Sequence, residues 1–141
     1  MSLLAPQSGA ITLPVPSELS APFWEACRQH RLTYLACPTC GAAQFNPAPL
    51  CRHCNATSLE RRDSAGRGTI DTWSMVWRGP TPAFTVPYAP AIVALDEGFH
   101  MISNIVGCLP EEVASGRRVV VTFHELPDGT VLPYFSLDPA D

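Results

Sequence analysis

Four cysteines lie in two pairs that share the same internal spacing. Cys37 and Cys40 form the first C-x-x-C pair, and Cys51 and Cys54 form the second. Two intervening residues allow both thiolates of a pair to reach one ion, and four thiolates at about 2.3 Å complete a tetrahedral zinc shell. The sequence therefore predicts one structural Zn²⁺ per chain, with no coordination position left for water or substrate.

The residues around the pairs favour metal over redox chemistry. Gly41 and Asn55 follow the two pairs, and both residue types tolerate the left-handed backbone of a tight knuckle. A redox C-x-x-C needs only one pair. His53 lies inside the second knuckle, where a side chain points away from the ion, so we do not count it as a ligand. We expect the remaining cysteines, Cys27 and Cys108, to be small buried hydrophobes.

The elements that must position this site divide the chain into three parts. Residues 1–19 predict an extended, poorly packed N-terminal arm. Residues 20–63 predict a helix and a rubredoxin-like zinc ribbon, in which Ser20 caps a helix from Ala21 to about His30. Residues 64–141 predict a five-stranded OB-fold domain. The fold class is therefore mainly β, with one N-terminal helix.

The barrel prediction rests on five strand patterns and one short helix. The helix, from Leu109 to Gly116, falls between the third and fourth strands, as in the OB-fold. A small sandwich or an SH3-like barrel fits the same number of strands. The predicted strands are Thr69–Trp77, Ala91–Leu95, Phe99–Gly107, Val119–Glu125 and Val131–Leu137.

Composition weighs against several classes of function. The formal net charge is −4, with nine arginines and no lysine, which weighs against a nucleic-acid-binding surface. No stretch approaches the roughly 20 apolar residues of a membrane span, and the proline-broken N-terminal residues lack a basic region. We therefore expect a cytoplasmic protein without membrane or nucleic-acid partners.

Two sets of residues are candidates for binding. Arg61, Arg62 and Arg67 lie near the junction of ribbon and barrel, where guanidinium groups could hold the phosphates of coenzyme A. The alternative is an ordinary solvated surface. Alternation over Thr69–Trp77 puts Trp73, Met75 and Trp77 on one strand face. The candidates for a partner interface are Phe23, Trp24, Trp77, Phe84 and Tyr88.

Several short motifs occur in an order that resembles a known family. Together they are similar to the zinc-ribbon and OB-fold family known as domain of unknown function thirty-five, over about Ser20 to Leu137. The motifs are Pro22-Phe23-Trp24, Cys37-x-x-Cys40-Gly41, Cys51-x-x-Cys54, Ser64-x-Gly66-Arg67-Gly68-Thr69, Ala91 to Gly98, and Asn104 to Cys108.

The resemblance implies an accessory subunit of a thiolase-like acyl-CoA enzyme. Members of that family bridge a thiolase to a hydroxymethylglutaryl-CoA synthase, complete acyltransferase complexes, or pair with steroid and fatty acyl-CoA aldolases. Some are fused or bound to hot-dog-fold enoyl-CoA hydratases. The expected assembly is a hetero-oligomer, with an acyl-CoA as its ligand and a non-catalytic role for this chain.

Two other functions remain open from the residues themselves. OB-folds and zinc ribbons also bind single-stranded nucleic acids, with strand aromatics stacking on bases. A stand-alone enzyme would need a base and a nucleophile, and His100, His124 and Asp71 are too scattered in the sequence to predict such a pair.

Overall fold

The computed structural model describes residues 2–140. Helix α1 (Ala21–Arg28) begins where the sequence predicts and ends two residues earlier, because His30 adopts a left-handed backbone with φ of 57°. A three-stranded antiparallel sheet of order β2-β1-β3 follows. Its strands are β1 (Thr33–Ala36), β2 (Ala43–Gln44) and β3 (Glu60–Asp63). The first cysteine pair follows β1, and the second cysteine pair precedes β3.

The second half of the chain forms a closed five-stranded barrel, which confirms the predicted OB-like fold. The strand order around the barrel is β4-β5-β6-β8-β7. A short 3₁₀ helix, Pro110–Glu112, lies between the third and fourth barrel strands. The strands are β4 (Arg67–Trp73), β5 (Ala89–Leu95), β6 (His100–Ile105), β7 (Arg118–Glu125) and β8 (Val131–Leu137).

A series of aromatic contacts joins the ribbon to the barrel. Phe99, just before β6, is 2% exposed and stacks on Tyr34 of β1 with ring centroids 4.9 Å apart. Phe45, just after β2, stacks on the Phe99 ring at 6.0 Å and meets Phe23 of α1 edge-on at 5.1 Å. The two substructures therefore share one continuous hydrophobic core, with Phe99 at the joint.

Strand β4 departs from the predicted alternation. The register shifts between Ile70, which pairs with Val93, and Thr72, which pairs with Ile92. The extra residue, Asp71, forms a bulge, so Ile70 and Thr72 no longer share a face as the simple period of two requires. The strand also ends at Trp73, and the predicted continuation to Trp77 is wrong.

The start of the chain is better packed than the sequence suggests. Leu4 is 3% exposed, and its backbone exchanges hydrogen bonds with Gly107 and Cys108. Gln7 is 6% exposed, and its amide both donates to and accepts from the backbone of Thr85. The expectation of a poorly packed arm is therefore wrong for these residues, because long-range pairing is invisible to local composition.

Two further observations concern the helix and membranes. The Ser20 side chain does not cap α1; its oxygen instead accepts the N–H of Ser17 at 2.8 Å. The predicted cap is therefore wrong, although the helix begins at the predicted residue. Within residues 2–140, no helix is long and apolar enough to cross a bilayer.

Candidate metal centre and binding surfaces

The four predicted cysteines converge on one point. Their Sγ atoms all lie within 4.8 Å of one another, with Cys37 to Cys54 at 3.6 Å and Cys40 to Cys51 at 3.7 Å. A tetrahedron with Zn–S bonds of about 2.3 Å has edges of about 3.8 Å, whereas a disulfide needs about 2.05 Å. The donor set and its spacing therefore fit a four-coordinate structural metal centre.

The two knuckles have the same backbone construction. In the first, the backbone carbonyl oxygen of Cys37 accepts the N–H of Gly41 at 2.8 Å. In the second, the backbone carbonyl oxygen of Cys51 accepts the N–H of Asn55 at 2.9 Å. Gly41 has φ of 79° and Asn55 has φ of 65°, the left-handed conformation that the sequence pattern requires. Asn55 therefore adopts, in the second knuckle, the same left-handed backbone that Gly41 adopts in the first.

Backbone N–H groups favour the thiolate form of the buried ligands. The backbone N–H of Cys40 lowers the pKa of Cys37 to about 6 against the opposing effect of burial, and the N–H of Thr39 adds to the lowering. The backbone N–H groups of Cys54 and His53 likewise lower the pKa of Cys51, and the His53 N–H lies 3.3 Å from its sulfur. Donors directed at sulfur stabilise its negative charge, which is the form that binds metal.

The other cysteines and His53 lie outside the metal cluster. Cys27 is fully buried, and burial raises the pKa of its thiol to about 12. Cys108 is 4% exposed, and burial also raises its pKa. Neither environment favours a nucleophilic thiolate. His53 is exposed on the second knuckle and takes no part in the group of four ligand atoms.

The three candidate arginines are held by neighbours within the chain. Arg61 on β3 is partly buried and donates to Thr33 Oγ1 at 2.9 Å. Arg62 pairs with Glu60 at 2.7 Å, and Arg67 on β4 pairs with Asp138 at 2.8 Å. Arg61 and Arg62 are successive strand residues, so their side chains leave opposite faces of the ribbon sheet.

The candidate interface aromatics lie in two places. Phe23 is 8% exposed and belongs to the core, so it offers the least surface of the five. Trp24 packs beside it on α1 and is half-buried. In the loop before β5, Phe84 and Tyr88 stack with centroids 5.7 Å apart, and Trp77 is 66% exposed.

The barrel also exposes an apolar pair that the sequence reasoning missed. Ile92 of β5 and Ile102 of β6 are directly opposed on the outer face, and Ile102 is 73% exposed. The signal is present in β6, where buried Met101 separates exposed His100 from exposed Ile102. Alternation places these residues outside, but only the strand pairing sets Ile92 beside them.

Comparison with known proteins gives consistent matches along the chain. The zinc-ribbon profile described as "ChsH2, rubredoxin-like zinc ribbon domain" matches residues 24–60, and "ChsH2, C-terminal OB-fold domain" matches residues 61–124. A DUF35 domain-containing scaffold protein from Methanothermobacter thermautotrophicus is 31% identical, over 79% of this chain and 89% of its own length.

Two further relatives are named for acyl-CoA enzymes or aldolases. A probable enoyl-CoA hydratase alpha subunit from Thermomonospora curvata is 34% identical over 80% of this chain, and the match spans 36% of the relative's length. A chain of the solved structure described as "Ltp2-ChsH2(DUF35) aldolase" is 31% identical, with a TM-score of 0.80, covering 89% of this chain and 98% of that one.

Proposed function

Because the chain belongs to the DUF35 family of zinc-ribbon and OB-fold proteins, we propose that it is a non-catalytic scaffold subunit of an acyl-CoA-processing complex. The partner supplies the catalytic residues, and this chain supplies a rigid surface beside them. The observation that carries the proposal is the agreement in fold and length with the DUF35 chain of an aldolase assembly, at a TM-score of 0.80.

The proposed metal is Zn²⁺, one ion per chain, with a structural role. Four thiolates fill a tetrahedral shell, so the ion has no free position at which to activate water or polarise a carbonyl. The ribbon sheet contains only short strands, of four, two and four residues, and a structural zinc stabilises such a substructure by about 10–16 kcal/mol at neutral pH.

The proposed partner is a thiolase-superfamily enzyme that acts as an acyl-CoA aldolase, acyltransferase or thiolase on lipid or steroid side chains. The similarity to a chain of the Ltp2-ChsH2 aldolase supports the aldolase role. The name of the Thermomonospora relative supports a second partner of the enoyl-CoA hydratase type, for which the hot-dog fold is the candidate. Both proposals come from relatives rather than from a catalytic group in this chain.

The proposed interface uses the aromatic residues of the loop before β5, of which Trp77 is exposed and Phe84 and Tyr88 are half-buried. Trp77 is 66% exposed and Val86 is 41% exposed, next to the stacked pair Phe84 and Tyr88. Aromatic residues are enriched at buried contacts in protein assemblies, so an exposed Trp in a loop with two further aromatics is a candidate contact. Prolines in the same loop limit its unfolded conformations, so less entropy is lost when it docks. Trp24 on α1 is the second proposed contact.

The experiment is co-expression of this chain with candidate thiolase-superfamily and hydratase partners, followed by size-exclusion chromatography and acyl-CoA turnover assays. We expect a stable hetero-oligomer that is active with fatty or steroid side-chain CoA thioesters. A partner that is fully active alone and does not co-elute with this chain would overturn the proposal.

A matched pair of variants locates the interface. Trp77→Ala should weaken assembly by about thirtyfold or more, because an aromatic hot spot contributes at least about 2 kcal/mol. Val15→Ala is the control, since Val15 is 91% exposed on the N-terminal arm and its truncation removes apolar surface elsewhere. Equal effects of the two substitutions would assign the binding to general hydrophobicity and not to this loop.

A further inference from the structure

The loop before β5 spans residues 74–88 and is shaped mainly by hydrogen bonds within itself. At its base, Val76 and Tyr88 form an isolated β-bridge. At its tip, the N–H of Phe84 returns to the carbonyl of Thr81 at 3.2 Å. These hydrogen bonds close the loop, but they do not tie its tip to the barrel.

Gln7 supplies the hydrogen bonds that tie the tip of this loop to another part of the chain. Its Nε2 donates to the Thr85 carbonyl at 2.9 Å, and its Oε1 accepts the Thr85 N–H at 2.8 Å. Among residues 2–140, these two are the only hydrogen bonds from residues 77–87 to a residue outside the loop. Gln7 is buried, so water cannot replace its amide unless the contact opens.

The arm that carries this glutamine is itself held on both sides of the contact. On one side, Leu4 is buried and exchanges backbone hydrogen bonds with residues 107–108, just after β6, at 2.8 and 2.7 Å. On the other side, Gly9 passes so close to the loop that an added Cβ would overlap the carbonyl oxygen of Ala83. Residues 4–9 therefore connect the barrel to the loop, and we call them the clip.

The contacts of the clip lie on both sides of Phe84, a residue of the proposed interface. One contact is at Ala83 and the other is at Thr85, so the backbone is held immediately before and immediately after Phe84. The Phe84 ring stacks on Tyr88 with centroids 5.7 Å apart. The clip therefore restrains the part of the loop that presents this pair of rings.

We propose that the clip holds the loop before β5 in the conformation that docks on the catalytic partner, with Gln7 as its positioning residue. Gln7 acts through the backbone of the loop and does not itself contact the partner. A loop that has its bound shape before docking loses less conformational entropy on assembly, so the clip strengthens binding. The inference rests on the proposed function and adds to it the element that controls the shape of the interface.

Cleavage of the isolated, zinc-loaded chain by chymotrypsin at the Phe84–Thr85 bond measures how often the clip opens. When opening is fast relative to cleavage, the cleavage rate follows the population of the open form. Gln7→Leu removes both hydrogen bonds to Thr85, and we expect cleavage to become about tenfold faster or more. Gly9→Ala should have the same effect, because the new methyl group pushes the arm away from the loop.

Two control variants separate the clip from a general loosening of the protein. Gln44→Leu matches the glutamine substitution, since Gln44 also bonds two backbone groups, but in the ribbon. Ala10→Ser matches the steric substitution, because it adds one atom to the next, exposed residue of the arm. Neither control should change the rate of cleavage at the same bond. An equal rise in all four variants would overturn the inference.

Assembly with the partner connects the clip to function. Gln7→Leu should raise the dissociation constant of the complex by about tenfold, while urea denaturation shows that the barrel remains folded. If Gln7 acts through the loop, then Gln7→Leu and Trp77→Ala together should weaken assembly by less than the product of their separate effects. A loop that has lost its exposed ring gains less from being held in place. A substitution that only lowered global stability would not show this coupling.

The outcomes distinguish this inference from the proposed function. Effects of Gln7→Leu and Trp77→Ala that multiply, or a loop that is cleaved faster while assembly is unchanged, would overturn the clip and leave the scaffold role standing. A complex that forms equally well with Trp77→Ala would reject this loop as the interface, and with it the clip. Faster cleavage of Gln7→Leu in a chain that assembles with none of the candidate partners would reject the scaffold role and the docking role of the clip together.

Discussion

The ring of Tyr34 stacks on the ring of Phe99 with an interplanar angle of 14°, and this contact joins the zinc ribbon to the barrel. Tyr34 is on β1, the strand that leads into the first cysteine pair, while Phe99 follows the β5–β6 turn. The orientation of the metal knuckles relative to the barrel therefore depends on side-chain packing as well as on the chain connection from β3 to β4.

Truncation of Phe99 should destabilise the whole chain. Phe99→Ala removes a ring that is 2% exposed, and we expect a loss of about 3–5 kcal/mol in the free energy of unfolding. Phe99→Leu preserves most of the buried volume and should cost less than about 1.5 kcal/mol. Urea denaturation followed by tryptophan fluorescence measures both, and equal losses would contradict a role for packing at this joint.

Removal of one ligand should abolish metal binding without unfolding the barrel. For Cys37→Ser we expect essentially no bound zinc by elemental analysis, with loss of ribbon signals in a ¹⁵N-correlation spectrum. The barrel signals should persist, since its five strands close on themselves. Cys108→Ala is the control because Cys108 lies outside the cluster. Wild-type protein that contains no zinc after reduction would refute the assignment.

His124 should make stability depend on pH. Its Nε2 atom is buried without a hydrogen-bond partner among the described residues, and burial lowers the pKa of the imidazole below its usual value. The unfolded chain therefore binds the proton more readily, so this contribution to stability is full above about pH 6.5 and is lost as the pH falls.

The variant His124→Phe tests this sign. It keeps a ring beside Tyr134, whose centroid lies 5.3 Å away, and removes the titrating group. Wild-type protein should lose more stability between pH 7.5 and pH 5.5 than the variant, measured by urea denaturation at both values. His30→Asn provides the control, since Asn tolerates the left-handed backbone at that exposed position. Identical pH profiles for wild type and His124→Phe would exclude the effect.

The metal site can be predicted from sequence because its determinants are local. Cys37 and Cys40 need only a two-residue spacing and a tight turn to share an ion, and the second pair repeats the device. The sequence also predicts the last strand with its full bounds, Val131–Leu137, because it follows a clear turn at Pro127-Asp128-Gly129. Local periodicity and turn chemistry are sufficient in both places.

The remaining features depend on partners far away in the sequence. The bulge at Asp71 follows from the register between β4 and β5, which alternation along one strand cannot reveal. The predicted strand starts at Ala91, but β5 starts at Ala89 and includes Pro90, which pairs with Asn104 near the start of the strand, where a missing N–H is tolerated. The predicted boundaries at residues 19 and 63 stay predictions.

The docking of Gln7 on Thr85 has a consequence for hydrogen exchange. The side chain of Gln7 accepts the Thr85 N–H at 2.8 Å. The Thr85 amide, in the loop before β5, is therefore shielded by a residue 78 positions earlier in the chain. That amide can exchange with solvent only when the arm lifts from the barrel or the loop moves away from it. Its exchange rate thus reports a local opening that involves both segments and leaves the five barrel strands intact.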